Sequence, residues 1–506
     1  MEALSRIPLF VILMGLGTAA MFVPAAHALT QDAHAIARPF FYAGILFSVL
    51  TTLIGLATAS GRIGHSARGQ LMTLLATFTA LPLMLAVPFS EALPDTGLYN
   101  AWWEMVSALT TTGATLYPPE RLAPTLHLWR ALVGWMGGFF VLVTALAVLA
   151  PMRLGGFEVF VSGGATGAAL EVTRPRAPRH APPSERILRY GMTLFPAYAG
   201  LTFALWVALL IAGDPSLVAL CHAMATLSTS GISPIAGPAE APSGVIGEGL
   251  IFVMLLPAFS RRFWPGGIEF RASDRLVKDP EIQLALGLIL IVPLVFFFRH
   301  WLGALEVAQG VDLHMAVTSL WGGMFTVASF LASAGFESSG WIEARDWSGL
   351  AAPGLILAGL AITGGGIATT AGGVKLLRVY TLVRHGEREL ERLVHPSSVA
   401  GGGPIARRLR RQGAYISWIF FMLFAMSIAV ATMGVSFSGL GFEHSVLLSI
   451  AALSNTGPLA GISGLAPLPW WELGGDAKAI LAGAMVLGRL ETLAIIALFN
   501  PELWRP

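Results

Sequence analysis

Ser107-Ala108-Leu109-Thr110-Thr111-Thr112-Gly113-Ala114-Thr115 is a short, hydroxyl-rich stretch inside an apolar chain, and its shape returns three times. The later copies are Thr226-Leu227-Ser228-Thr229-Ser230-Gly231-Ile232-Ser233, Phe330-Leu331-Ala332-Ser333-Ala334-Gly335-Phe336 and Ala452-Leu453-Ser454-Asn455-Thr456-Gly457-Pro458. Each runs from a Leu through three small or polar residues to a Gly. The glycines lie 118, 104 and 122 positions apart in turn. Near-regular internal copies signal repeated structural units. Four of them predict four units around one axis.

The surroundings say where such units live. The 506 residues are 55% hydrophobic and 12% charged, with a mean hydropathy of +0.71. A soluble domain carries about 25% charged residues. So few charges cannot cover a water-facing surface, and the chain reads as an all-α polytopic membrane protein. The net charge of +2 says little, because the charges are unevenly placed. The single cysteine, Cys221, excludes an internal disulfide and a cysteine-rich metal site. Nothing resembles a soluble catalytic domain.

Ile7 to Val23 is an apolar run followed by Ala26-His27-Ala28, which leaves a cleaved signal peptide open. A second run, Phe40 to Ala57, follows closely, and the preferred reading is a membrane hairpin over 1–60. Four units then follow: 61–152, 153–265 with a cytoplasmic linker, 266–385 with a broken inner helix, and 413–506. A cytoplasmic connector, 386–412, precedes the last. Each unit pairs long apolar spans with a shorter segment before its Gly stretch: Thr96–Leu109, Pro215–Leu227, His314–Leu331 and Glu443–Leu453. These are short for crossing and read as re-entrant half-helices.

Basic residues cluster between units, as in Arg174, Arg176, Arg179, Arg186 and Arg189, or Arg384, Arg388, Arg392, Arg407 and Arg408. The regions holding the Gly stretches are mildly acidic, with Glu91, Asp95, Glu120, Asp214 and Glu240. The positive-inside rule therefore puts the connections in the cytoplasm and the Gly stretches outside.

A dehydrated cation needs oxygen ligands, and rings of backbone carbonyls supply them. Glycine permits the backbone that points carbonyls at an axis, and a half-helix ahead of it aims a negative end inward. Helix packing through small residues is the plain alternative for any one copy. Four copies, each after a short segment on the acidic side, favour a cation pathway.

Ala108-Leu109-Thr110-Thr111-Thr112-Gly113-Ala114-Thr115 resembles the first filter of the TrkH/TrkG/KtrB superfamily of potassium transporters, most closely the TrkH branch with its N-terminal hairpin. The resemblance implies a selectivity filter of Thr111, Thr112, Gly113, Thr229, Ser230, Gly231, Ser333, Ala334, Gly335, Asn455, Thr456 and Gly457, with potassium as transported ion and no cofactor bound by this chain. It implies that glycine at position 113 favours potassium, where serine accompanies sodium selectivity. It also implies a homodimer in the bacterial inner membrane, the filter facing the periplasm, and a cytosolic nucleotide-binding regulatory subunit. Membrane lipid is the expected surround, and no nucleic acid is expected.

Gly364-Gly365-Gly366-Ile367-Ala368-Thr369-Thr370-Ala371-Gly372-Gly373 breaks an apolar span, at roughly 1 kcal/mol per helical glycine. Lys375 follows, yet no Gly-Lys-Ser/Thr and no preceding strand make a phosphate loop. A kink or packing site is one reading. The resemblance implies an intramembrane loop that blocks the pore and moves to open it, with Gly364, Gly365, Gly366, Thr369, Thr370, Gly372, Gly373 and Lys375 in the gate. Arg489, in Gly488-Arg489-Leu490-Glu491, stands in a span expected to end near Phe499. A buried arginine costs about 2.5–3.5 kcal/mol on insertion scales, so it faces the pore or snorkels to the surface. Glu491, two positions on, is a poor direct partner. The resemblance implies that Arg489 projects beneath the filter as a barrier.

Glu104 and Glu248 read as cation ligands or as satisfied structural carboxylates. Asp279-Pro280-Glu281 reads as a helix start with Asp279 as N-cap. Lys478 and the pairs Trp102-Trp103 and Trp470-Trp471 are expected at the interface. Potassium uptake leads; sodium or mixed transport on the same architecture is the alternative. A polytopic membrane enzyme is remote, since His222, His314 and His444 stand singly without metal-site spacing.

Overall fold

The computed structural model describes residues 8–58, 67–152, 154–159, 183–265, 276, 279–307, 313–348, 353–395, 411–462 and 469–491. Helices α1 (Leu9–Thr30) and α2 (His34–Thr58) form the expected hairpin and pack along each other. Asp32 turns the chain between them in the left-handed region, φ 54°. The hairpin is fixed to the rest: His27 Nδ1 meets Thr125 Oγ1 at 2.9 Å and Phe40 lies edge-on to Trp129.

The first unit opens with α3 (Ala67–Thr79) and α4 (Leu81–Ala92), where Pro82 interrupts what the sequence reads as one span. The short helix α5 (Leu98–Leu109) follows, then α6 (Pro124–Thr144), which loosens into a π-turn over Ala145–Leu149. The second has α7 (Pro183–Ile211), short α8 (Ser216–Ser228) and α9 (Gly244–Leu255). The third has α10 (Pro280–Val307), α11 (Leu313–Leu331), α12 (Trp341–Ser348) and an inner helix split into α13 (Pro353–Thr363) and α14 (Leu376–Val394). The fourth has α15 (Arg411–Phe437), short α16 (Phe442–Leu453) and α17 (Gly475–Leu490).

The packing order positions the site. Each of α5, α8, α11 and α16 is wedged beside the long helices of its own unit. Each inner helix then reaches on: α6 packs on α8, α9 on α11, α13 on α16, and α17 returns to α5. The chain thus closes a ring of four. Outside it, large apolar side chains such as Leu56, Ile211, Ile291 and Phe437 stay exposed, as lipid contact requires. Among the described residues, seven helices are long and apolar enough to cross a membrane.

Several expectations need correction. The third short segment, α11, has 19 residues rather than a dozen. The mixed apolar and charged stretch from 376 belongs to a single amphipathic helix, α14, that runs through the boundary placed at 385. In the last span α17 ends at Leu490 and Glu491 has a positive φ of 62°; the expected end near Phe499 lies outside the described residues. Residues 492–506, the third filter-side His314 side chain, and the basic residues Arg62, Arg153, Arg174, Arg176, Arg179, Arg271, Arg275, Lys278, Arg407, Arg408 and Arg410 lie outside the described residues. Lys478 is buried, 9% exposed, with Nζ 3.3 Å from Asn100 Oδ1. Trp103 and Trp470 are buried against each other with ring centroids 5.6 Å apart. Their indole N–H groups found carbonyls at Lys478 and Gly457, which is why they need no interface.

Candidate functional site

Four helix ends meet at one place, and they end the same way. In each, the residue two before the glycine is left-handed: Thr111 φ 55°, Thr229 φ 50°, Ser333 φ 58° and Asn455 φ 54°. The next amide reaches back five residues, Thr112 to Ser107, Ser230 to Ala225, Ala334 to Ser329 and Thr456 to Ala451, all at 2.9 Å. The left-handed residue itself donates three back, as Thr111 does to Ala108 at 2.9 Å. This is a Schellman cap built four times on a non-glycine residue, at roughly 1–2 kcal/mol each for the left-handed backbone. The sequence pointed to glycine as the residue that permits the backbone aiming carbonyls at the axis; the left-handed turn starts two residues before it.

Glycine matters next. Gly113, Gly231 and Gly335 are left-handed at φ 73°, 65° and 71°. A Cβ on Gly113 would stand 1.8 Å from Ser230 O, and one on Gly231 2.2 Å from Ala334 O. On Gly335 it would meet Pro458 at 3.1 Å, and on Gly457 Ala114 N at 2.3 Å. The four stretches therefore touch in cyclic order. All four glycines line one cavity of about 490 Å³, together with Thr115, Ser233, Glu337 and Trp470.

The fourth stretch departs from the others. Gly457 is not left-handed, and its N–H donates to Thr112 O at 2.7 Å. Its own carbonyl accepts from Trp470 Nε1 at 3.3 Å. Asn455 Nδ2 donates to both Thr112 Oγ1 and Met485 O at 3.0 Å. Pro458 removes a donor and brings its ring against Gly231 and Gly335.

Buried carboxylates hold the loops that leave the ring. Glu104 pairs with Arg130 at 2.5 Å and accepts the Leu116 N–H at 3.0 Å. Glu248 accepts from Ser338 Oγ and Ser339 N at 2.6 Å and from Trp321 Nε1 at 2.8 Å. Both are structural supports, the second of the two readings. His222 Nε2 meets Ser233 Oγ at 2.8 Å. No His, Cys, Asp or Glu cluster fit for a metal occurs among the described residues. Glu337, in the cavity wall, has its carboxyl pushed up to about 7 by burial, with Arg345 pulling the other way.

On the far side of the ring from this cavity, the 364–375 break forms a buried loop. Gly364, Ala368, Gly373 and Lys375 are left-handed. Gly366 N–H donates to Ala258 O at 2.9 Å, and a Cβ on Gly365 would stand 2.5 Å from that same oxygen. Val374 and Lys375 amides return to Ile362 and Thr363 carbonyls at 2.8 and 2.9 Å. Lys375 Nζ donates to Ala371 O at 2.5 Å, and Thr369 Oγ1 to Gly366 O at 2.7 Å. Gly372 packs under the fourth stretch, where a Cβ would be 2.1 Å from Ser454 O. Arg489 Nη2 bridges the two layers: it donates to Thr370 O at 2.7 Å and to Thr111 Oγ1. Arg489 is buried, 6% exposed, so it does not snorkel. Glu491 pairs instead with Arg378 at 2.7 Å, and Arg378 lies over the Phe420 ring.

Sequence reasoning missed Glu281. Asp279 caps α10 as expected, Oδ1 accepting the Glu281 N–H at 3.0 Å. Glu281 itself crosses to the loop and accepts the Ile367 N–H at 2.8 Å. Its signal was a second carboxylate in the first turn of an apolar span, where the helix dipole already accounts for one.

A ring of four convergent helix ends within a lipid-exposed helical bundle defines a multi-pass membrane protein of the transport class. Residues 282–505 match the family model for TrkH, a cation transport protein. TrkH of Halomonas elongata, a Trk system potassium uptake protein, is 30% identical over 445 residues, covering 86% of this chain and 84% of the relative. Its counterpart in Salmonella typhimurium is 29% identical over 444 residues, with 86% and 84% covered. The crystal structure of the potassium transporter TrkH from Vibrio parahaemolyticus shares the fold, with a TM-score of 0.77 over 100% of both chains at 24% identity. The chain belongs to the TrkH family of cation transport proteins, whose members are transporters and not enzymes.

Proposed function

We propose that this chain takes up potassium across the bacterial cytoplasmic membrane through a gated, channel-like pore. The observation that carries the reading is that Gly113, Gly231, Gly335 and Gly457 line one cavity at the ends of four converging helices. Helix C-termini favour a cation there, and close-packed carbonyls replace its hydration. The filter comprises Thr111–Gly113, Thr229–Gly231, Ser333–Gly335 and Asn455–Gly457, arranged as four pseudo-repeats with the cavity toward the periplasm. The gate comprises the 364–375 loop and Arg489, which fill the path beneath it. Potassium is cargo, and the chain needs no cofactor of its own.

In this reading two copies associate in the membrane, and a cytosolic nucleotide-binding subunit of the Trk type docks on the basic face. The relatives' place in a named Trk system supports a multi-subunit assembly. Sodium or mixed transport is the second reading. The departure of the fourth stretch favours it, because the Gly457 amide occupies the Thr112 carbonyl.

Expression in a bacterium lacking potassium uptake tests the first reading: growth at low potassium is expected. No rescue, despite membrane insertion and a supplied regulatory subunit, would sink it. Rubidium and sodium fluxes in vesicles then separate the two cations.

A further inference from the structure

The left-handed residue of each ring stretch carries a side chain, and the four are used differently. Thr229 Oγ1 donates to its neighbour's carbonyl, Ser228 O, at 2.8 Å. Asn455 donates to Met485 O and Thr112 Oγ1. Thr111 Oγ1 accepts from Arg489. Ser333 Oγ hydrogen-bonds the loop itself: it accepts the Gly372 N–H at 2.7 Å. Ser333 is 2% exposed, and Gly372 sits too close to Ser454 O to hold any side chain. The contact joins the loop to the ring across 39 residues of chain.

We propose that the Ser333 hydroxyl is a latch, a positioning group that holds the intramembrane loop shut against the third stretch, while only the residue's backbone carbonyl belongs to the filter. The proposal rests on the transport reading above. A hydroxyl oxygen committed to an amide 2.7 Å away is directed at the loop. Swinging the loop aside breaks that bond and must place the Gly372 amide elsewhere, since an unpaired buried amide is costly. Arg489, bonded to Thr111 and Thr370, fastens the opposite side of the ring to the same loop. Opening thus releases side chains of the first and third stretches together.

The test uses the full chain in lipid vesicles, with rubidium and sodium flux measured beside amide exchange over residues 364–373. Ser333→Ala is expected to raise basal rubidium flux roughly five- to tenfold, speed exchange in the loop, and leave the rubidium-to-sodium ratio unchanged. Ser333→Thr is expected to rescue both, because Thr111 and Thr229 occupy the same left-handed position. If alanine does not fold, Ser333→Cys keeps the volume and weakens the acceptor. An altered ion ratio with unchanged exchange would make the Ser333 hydroxyl an ion ligand and overturn the latch. Unchanged exchange with an unchanged ratio overturns it too, as does faster exchange without extra flux through a conducting wild type. A wild-type chain carrying no rubidium sinks the transport reading; the exchange result then still decides whether Ser333 holds the loop.

Discussion

Gly113 shows how two constraints fall on one residue. Its φ of 73° is strained for any side chain, and a Cβ would stand 1.8 Å from the Ser230 carbonyl. That oxygen belongs to the neighbouring stretch, so a substitution distorts two quarters of the ring at once. Gly113→Ser is expected to raise sodium flux relative to rubidium in vesicles. An unchanged ratio removes Gly113 from the filter. Glu337 makes a second prediction at this scale. With its carboxyl near 7, it is neutral in acid and becomes an anion as pH rises from 6 to 8. An added negative charge in the cavity enriches cations. The apparent affinity for potassium should therefore improve roughly two- to tenfold over that range. Glu337→Gln should flatten the profile; a profile that survives the substitution assigns it to another group.

The elements depend on buried ion pairs more than their apolar sequences suggest. Arg130 on α6 and Glu104 on α5 are 4% and 0% exposed at their side chains. Removing one partner of such a pair leaves a buried charge, at about 3–5 kcal/mol. Arg130→Met is expected to lower the melting temperature in detergent sharply. Adding Glu104→Gln should recover much of it, since glutamine keeps an acceptor for the Leu116 amide; no recovery would locate the loss in packing. The spans and short helices were legible in the sequence because apolar runs and their lengths report membrane crossing directly. The break at Gly364–Gly373 and the cap at Asp279 were legible for equally local reasons. What was not legible depends on distant partners. Lys478 and Trp103 meet each other's helices 375 residues apart. The reach of Glu281 to Ile367 spans 86 residues. No local pattern separates a buried indole from one at the membrane interface. The left-handed Thr, Ser and Asn residues were hidden because glycine beside them offered the simpler account.

The whole molecule sets a buried loop and a buried arginine in series beneath one ring. Arg489 ties the two layers together, so its loss should act on conduction more than on folding. Arg489→Ala is expected to raise rubidium flux about tenfold, in line with losing a charged hydrogen bond. A defect confined to expression or melting would make it structural. The ring itself is closed by its last part. Asn455 reaches Thr112 across 343 residues, and the Gly457 amide completes the join. At about 5–20 residues per second, the ribosome needs roughly 20–70 s to make that stretch. Through this interval the first quarter has no neighbour on one flank. A growing chain therefore lacks the join between first and last stretches until its final quarter has been made, so the ring can close only once synthesis is nearly complete.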